Sequence, residues 1–150
     1  MFYRILVAIF ILSGSCVVGS AQRISRCRTT TGPETPKYRL GKVKRMALDA
    51  ETVLVLQISV ASEQFNKEDM TALAGRLTKE FCHEKRLSVA ITDRYDAAKS
   101  GDLIPDLLRG TPNPALRGAF NLDRETGKSS ASFSTQRGRP LDEVHLDLGN

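Results

Sequence analysis

Only two histidines and three cysteines occur in 150 residues, and no apolar run is long. Each scarcity removes a class of function. Imidazole chemistry is confined to His83 and His145. The longest unbroken apolar run is Ile5 to Leu12, well short of the ~20 residues that a membrane-spanning helix needs. No N-x-[ST] sequon is present, which suits a bacterial origin. What remains is 41% hydrophobic and 26% charged, the mix of one globular domain with a real core.

The N-terminus reads as an address. Arg4 precedes the apolar run, Ser13-Gly14-Ser15 interrupts it, and Gly19-Ser20-Ala21 supplies small residues before Gln22. Charged, apolar and small-residue regions in that order make a secretory signal peptide over residues 1–21, cleaved after about Ala21. Cys16 lacks the apolar residue expected three positions before a lipidated cysteine, so a lipid-anchored envelope protein is a lesser alternative. Removal of the leader leaves Cys27 and Cys82. An even count in an oxidising compartment predicts a disulfide between them, and closing so long a loop stabilises by roughly 4 kcal/mol.

The formal charge of +5 is unevenly distributed. Residues 22–45 hold eight basic side chains against Glu34 alone, a net +7, whereas residues 46–150 carry a net −3. Residues 22–37 form a basic arm, expected to be flexible, ahead of a domain at 38–150 whose residues from 46 onward are mildly acidic. Arg23, Arg26, Arg28, Lys37, Arg39 and Lys42 are its candidate binding residues, suited to an anionic envelope or cell-surface component. The arm lacks interleaved aromatics, with Tyr38 only at its end, so no base-stacking surface and no nucleic-acid partner are expected.

Strand and helix periods alternate along the domain. Tyr38 to Leu48 is a candidate strand, and Thr52 to Ala61 is the clearest one, apolar on both faces in its first half. Asn66 is placed to cap a helix over residues 66–83, with Asp69 in its first turn. Phe65 and Met70 fit a hydrophobic staple, and Met70, Leu73, Ala74, Leu77 and Phe81 form one apolar stripe. Leu87, Val89 and Ile91 alternate with small residues in another strand. Strands then follow at Ala115–Leu122, Lys128–Ser134 and Glu143–Leu148, the first two joined by a turn ending at Gly127. The expected fold is α+β: a mixed sheet of five or six strands with one principal amphipathic helix on one face. A β-α-β crossover leads into an antiparallel hairpin and meander.

The residues that tempt a chemical reading are weak. Leu122 to Ser129 imitates a phosphate loop, but Leu122 stands where a glycine is required and a strand follows where a helix is needed. Glu80, His83 and Glu84 lack a zinc-site spacing, and Cys82 and His83, if helical, point about 100° apart. No metal and no cofactor are expected. The long connection from Asp93 to Pro114 offers Asp93, Arg94, Tyr95, Asp96 and Asp102 as a second candidate binding surface, since long connections often carry function. The sequence thus points to an exported, periplasmic or extracellular, non-enzymatic binding or interaction protein. A small secreted hydrolase using carboxylates of the 93–106 loop is the alternative, and partner and ligand are left open.

Overall fold

The structure is a computed structural model and describes residues 24–29, 36–48, 50–100, 103–104, 113–141 and 143–148. The leader, Arg23 and Asp102 lie outside the described residues. Six strands form one mixed sheet in sequential order: β1 (Arg39–Leu48), β2 (Glu51–Ser59), β3 (Arg86–Thr92), β4 (Gly118–Asp123), β5 (Lys128–Phe133) and β6 (Val144–Asp147). Only β2 and β3 run parallel, and the principal helix α1 (Lys67–Glu80) connects them. A second, short helix α2 (Tyr95–Ser100) follows β3 inside the long connection. The fold is α+β, with a crossover leading into a meander, as the periodicity predicts.

The local reasons are those the sequence carries. Asn66 is extended and accepts a hydrogen bond from the Asp69 amide at 2.9 Å, while its own amide group donates to the Asp69 carboxylate at 2.6 Å. That pair satisfies one of the helix's orphan donors and places an acid at the positive dipole end. Phe65 and Met70 flank the cap and are both buried. The helix stops at Glu80, three residues short of the expected Cys82–His83 end. Phe81 caps it outside the helical region, with its amide still bonded to the Leu77 carbonyl. Gly127 adopts a positive φ of 69° in the β4–β5 turn, a conformation glycine reaches without penalty.

Strand alternation sorts the sheet into two faces. Leu54, Leu56, Ile58, Leu87, Val89, Ile91, Phe120 and Phe133 form the main core with the Met70, Leu73 and Leu77 stripe of α1. Val144 and Leu148 pack at its margin, as expected of their alternation. The opposite face is divided. Near the C-terminal ends of β2 and β3 it is covered by α2 and by Leu103, Ile104 and Leu116. Toward their N-terminal ends β2 still carries the apolar Val53 and Val55, packed with Met46, Leu48 and Ile104, while β3 and its neighbour β4 carry the polar Arg86, Ser88, Asn121 and Asp123.

Gln57 and Gly41 explain how the long connection is held on that face. Gln57 is fully buried in β2. Its Nε2 donates to the Ala98 carbonyl at 2.7 Å, and its Oε1 accepts from the amides of Leu103 and Ile104, each at 3.0 Å. One side chain therefore ties together the end of α2 and the segment after it. Gly41 lies in a β1 irregularity opposite β2, and a Cβ there would sit 2.2 Å from the Ala98 carbonyl oxygen. Only a glycine admits so close an approach of α2 to the strand.

Candidate functional site

Polar side chains gather in two places, one at each end of the sheet. The first is where β2 and β3 end and β4 begins. Asp93 directly follows β3 and Arg117 directly precedes β4, and both side chains are almost wholly buried, at 1% and 3% exposure. Asp93 Oδ2 accepts from Arg117 Nη1 at 2.8 Å, from Arg137 Nε at 2.8 Å and from the Ser62 hydroxyl at 3.0 Å. Arg117 Nη2 donates to the carbonyls of Ser134 and Thr135 at 3.2 and 2.6 Å, and its guanidinium lies 4.0 Å from the centre of the Phe65 ring. Burial pushes the Asp93 carboxyl up. The hydrogen bonds from Arg137, Arg117 and Ser62 outweigh that and hold it below its ordinary value. A carboxylate held ionised on three donors is an anchor for the loops around it. All three of these bonds fall on Oδ2, and Oδ1 is buried with no hydrogen bond among the described residues.

Of the rest of the candidate loop, the described residues Arg94, Tyr95 and Asp96 do not converge on Asp93. Asp96 pairs with Arg94 at 2.6 Å on the surface, where the Arg94 hydrogen bond holds the Asp96 carboxyl below its ordinary value. Tyr95 lies under the Arg39 guanidinium, 3.6 Å from its ring centre. The connection contains α2 over residues 95–100. Arg117 went unnoticed in the sequence because nothing local marks a residue whose partner is 24 positions away. Gln57 did carry a signal, as the one amide inside an apolar strand.

The second place is a groove of about 710 Å³ on the sheet face opposite α1, toward the N-terminal ends of the parallel strands. Its floor consists of successive cross-strand rows. Ser88, Asn121 and Ser130 are register neighbours on β3, β4 and β5. The Ser88 hydroxyl donates to Asn121 Oδ1 at 2.8 Å, and the Asn121 amide nitrogen and Ser130 hydroxyl make no hydrogen bond among the described residues. One row toward the open end lie Arg86, Asp123 and Lys128. Arg86 bridges Glu51 at 2.6 Å and Asp123 at 3.2 Å. Amides of Thr126 and Glu125 bond Asp123 and hold its carboxyl below the ordinary value. At the other side the exposed His145 shares a hydrogen bond with the Ser132 hydroxyl through Nδ1, at 2.9 Å. His145 is thus solvent-facing on its strand, as its alternation predicts, and it lines the groove. The signal for this site was the serine alternation of β5, Ser130 and Ser132 falling opposite the core-facing Ala131 and Phe133.

The basic arm is partly tied down. Residues 24–29 lie along the end of α1: the Cys27 amide donates to the Glu80 carbonyl at 2.7 Å, and Ile24 packs against the main core. Arg26 pairs with Glu80 at 3.0 Å. Arg39 stacks on Tyr95, while Arg28 and Lys37 are exposed and Lys42 is half-buried. Burial first, and the Glu80 carboxylate second, push the Tyr38 hydroxyl well above its ordinary value at the arm's root. Cys27 and Cys82 form the expected disulfide. Glu80 and Glu84 are both occupied, by Arg26 and Arg45, so the trio of Glu80, His83 and Glu84 does not assemble. The expectation that Cys82 and His83 diverge is corrected. Because α1 ends at Glu80, these residues lie in a turn, and a His83 ring nitrogen comes within 4.8 Å of both cysteine sulfurs.

Among the described residues no helix is long and apolar enough to cross a membrane. Comparison of the chain with protein-family models, with curated proteins and with solved structures finds no match.

Proposed function

We propose that this chain is an exported, non-enzymatic binding protein whose ligand site is the polar groove on the open sheet face. The observation that carries the reading is the row of Ser88, Asn121 and Ser130, with His145 beside it, lining a concavity of about 710 Å³. That volume lies within the roughly 300–1,000 Å³ usual for small-molecule sites. Short hydroxyl and amide side chains offer both donors and acceptors and carry no net charge. Among the flanking charges Arg86 is paired with Glu51 and Asp123, and Lys128 and Asp147 also line the groove. A neutral ligand that offers hydroxyls or amides together with an apolar face, such as a sugar or a short peptide, matches a lining in which Leu48 and Val53 stand beside the polar row. Export rests on the leader-like N-terminus and is in keeping with the Cys27–Cys82 disulfide.

The test is a thermal-shift screen of the full chain against neutral sugars and short neutral peptides, with Asn121→Ala and Ser130→Ala run in parallel. A ligand at a hundred times its dissociation constant stabilises by about 2.7 kcal/mol. At this chain length that raises Tm by roughly 5–10 °C. The shift is expected in the parent and is expected to fall in both variants. Binding to anionic vesicles that is lost in Arg28→Glu and Lys37→Glu, with no ligand of the neutral class shifting the parent, would move the function to the basic arm and refute the groove.

A further inference from the structure

We propose that Cys27, Cys82 and His83 form a redox-gated site for a thiophilic divalent cation such as Zn²⁺, closed while the disulfide is intact and opened by its reduction. Two sulfurs and an imidazole nitrogen already lie within 4.8 Å of one another. Tetrahedral zinc, at about 2.3 Å from sulfur and 2.0 Å from nitrogen, needs donor separations of about 3.6–3.8 Å. The imidazole therefore has to close by about an ångström at most. The two sulfurs must part from a bond of about 2 Å to about 3.8 Å, which rotation of two exposed or half-buried side chains supplies.

What makes the dithiol pre-organised is that the disulfide is not the arm's only attachment. The Cys27 amide is bonded to the Glu80 carbonyl at 2.7 Å, Arg26 is paired with Glu80 at 3.0 Å, and Ile24 is packed on the core. Each of these contacts survives reduction. Cys82 and His83 follow one another in the turn that ends α1, so their separation does not depend on the arm at all. A set of two thiolates and one imidazole is a recognised zinc environment that keeps one position open to water. Thiolate donors select for zinc over the oxygen-loving cations magnesium and calcium.

The chemistry balances in two steps. A dithiol reductant gives two electrons and two protons to the Cys27–Cys82 bond; the S–S bond breaks, two thiols form, and the reductant becomes a disulfide. The cation then displaces one proton from each thiol and takes both sulfurs and the imidazole nitrogen as ligands, releasing two protons per ion.

The experiment uses the full chain carrying Cys16→Ser, so that Cys27 and Cys82 are the only cysteines. The chain is reduced with a phosphine and titrated with Co²⁺, which reports thiolate ligation by an intense ligand-to-metal absorption. One Co²⁺ per chain, displaced by Zn²⁺ and absent from the oxidised chain, is the expected result. His83→Ala leaves the disulfide untouched and is expected to weaken Co²⁺ binding by on the order of 10- to 100-fold. Circular dichroism of the reduced chain is expected to match the oxidised one. The proposal is overturned by any one of four results: no thiolate absorption in the reduced chain, equal binding by the oxidised chain, unchanged affinity in His83→Ala, or unfolding on reduction.

Discussion

Replacing Arg117 is the sharpest test of what holds the upper end of the sheet together. Its guanidinium serves Asp93, Ser62 and the carbonyls of Ser134 and Thr135, and it covers the Phe65 ring. Arg117→Met keeps much of the apolar volume but leaves a carboxylate at 1% exposure with Arg137 as its one remaining ion-pair partner among the described residues. Arg137 is itself 61% exposed, and screened pairs of that kind contribute about 0–1 kcal/mol. Breaking a buried pair from one side costs about 3–5 kcal/mol, because the remaining charge keeps its desolvation penalty without its partner. For a chain of this length that is a fall in Tm of roughly 6–20 °C.

The pH dependence separates this cause from simple loss of packing. Asp93 is held below its ordinary carboxyl value in the folded protein, so the unfolded chain binds its proton more readily. The stabilisation is complete above the ordinary carboxyl value and is lost as pH falls through the lower, folded one. Without Arg117 part of that depression goes, the Arg137 hydrogen bond remaining, and the variant's deficit should be wider near neutrality than in acid. Urea unfolding of parent, Arg117→Met, Asp93→Asn and the double variant, at pH 7 and again near pH 3, reads both effects. A deficit below about 1 kcal/mol at pH 7, or one of equal size at both pH values, would refute the reasoning. So would a double variant whose loss equals the sum of the two single ones, since coupled sites should not add.

Three further outcomes follow from close contacts elsewhere. Gln57→Leu strands the Ala98 carbonyl and the amides of Leu103 and Ile104, at a cost of about 2–4 kcal/mol, and should accelerate hydrogen exchange at 103 and 104 more than in β4. Gly41→Ala drives a methyl group into the Ala98 carbonyl and should cost about 1–3 kcal/mol, whereas Gly75→Ala on exposed α1 meets nothing within 4 Å and should stabilise by about 0.5–1 kcal/mol; chemical denaturation of the pair checks both signs. Opening the Cys27–Cys82 bridge, which spans 55 positions, should lower stability by about 4 kcal/mol without loss of helical circular dichroism, given the Cys27 amide bond to Glu80 and the Arg26 pair.

The framework was legible in the sequence wherever neighbours along the chain determine the outcome. Asn66 caps through Asp69, three positions on. The α1 stripe repeats within two turns, and Gly127 meets the demand of its own turn. The expected strands agree with the observed ones to within three residues because alternation is a property of each strand alone. The disulfide was legible for another reason, since two cysteines have one way to pair. Asp93 marks the limit. Read along the chain, it stands beside Arg94 and Asp96 and suggests an exposed acidic loop. In space its partners are Ser62, Arg117 and Arg137, brought together because β2, β3, β4 and β5 all begin or end at that edge.

The same distinction accounts for charge and for the groove. Eight basic residues against one acid describe a segment, but a binding surface needs charges that the fold leaves unpaired. Arg26 and Arg45 have acids waiting on or just after α1, in Glu80 and Glu84, and Arg39 has an aromatic face in Tyr95. The acids of residues 46–150 and the bases of residues 22–45 are therefore partly two halves of one set of contacts. Conversely, Ser88, Asn121 and Ser130 are unremarkable singly, and each is the ordinary polar residue of a half-buried strand. Register alone places them side by side, on the part of the sheet face opposite α1 which α2 and Leu103 leave uncovered. Gln57, which anchors that cover, thereby sets where the groove begins. Its replacement should alter the groove's upper boundary while leaving Ser88, Asn121 and Ser130 in register.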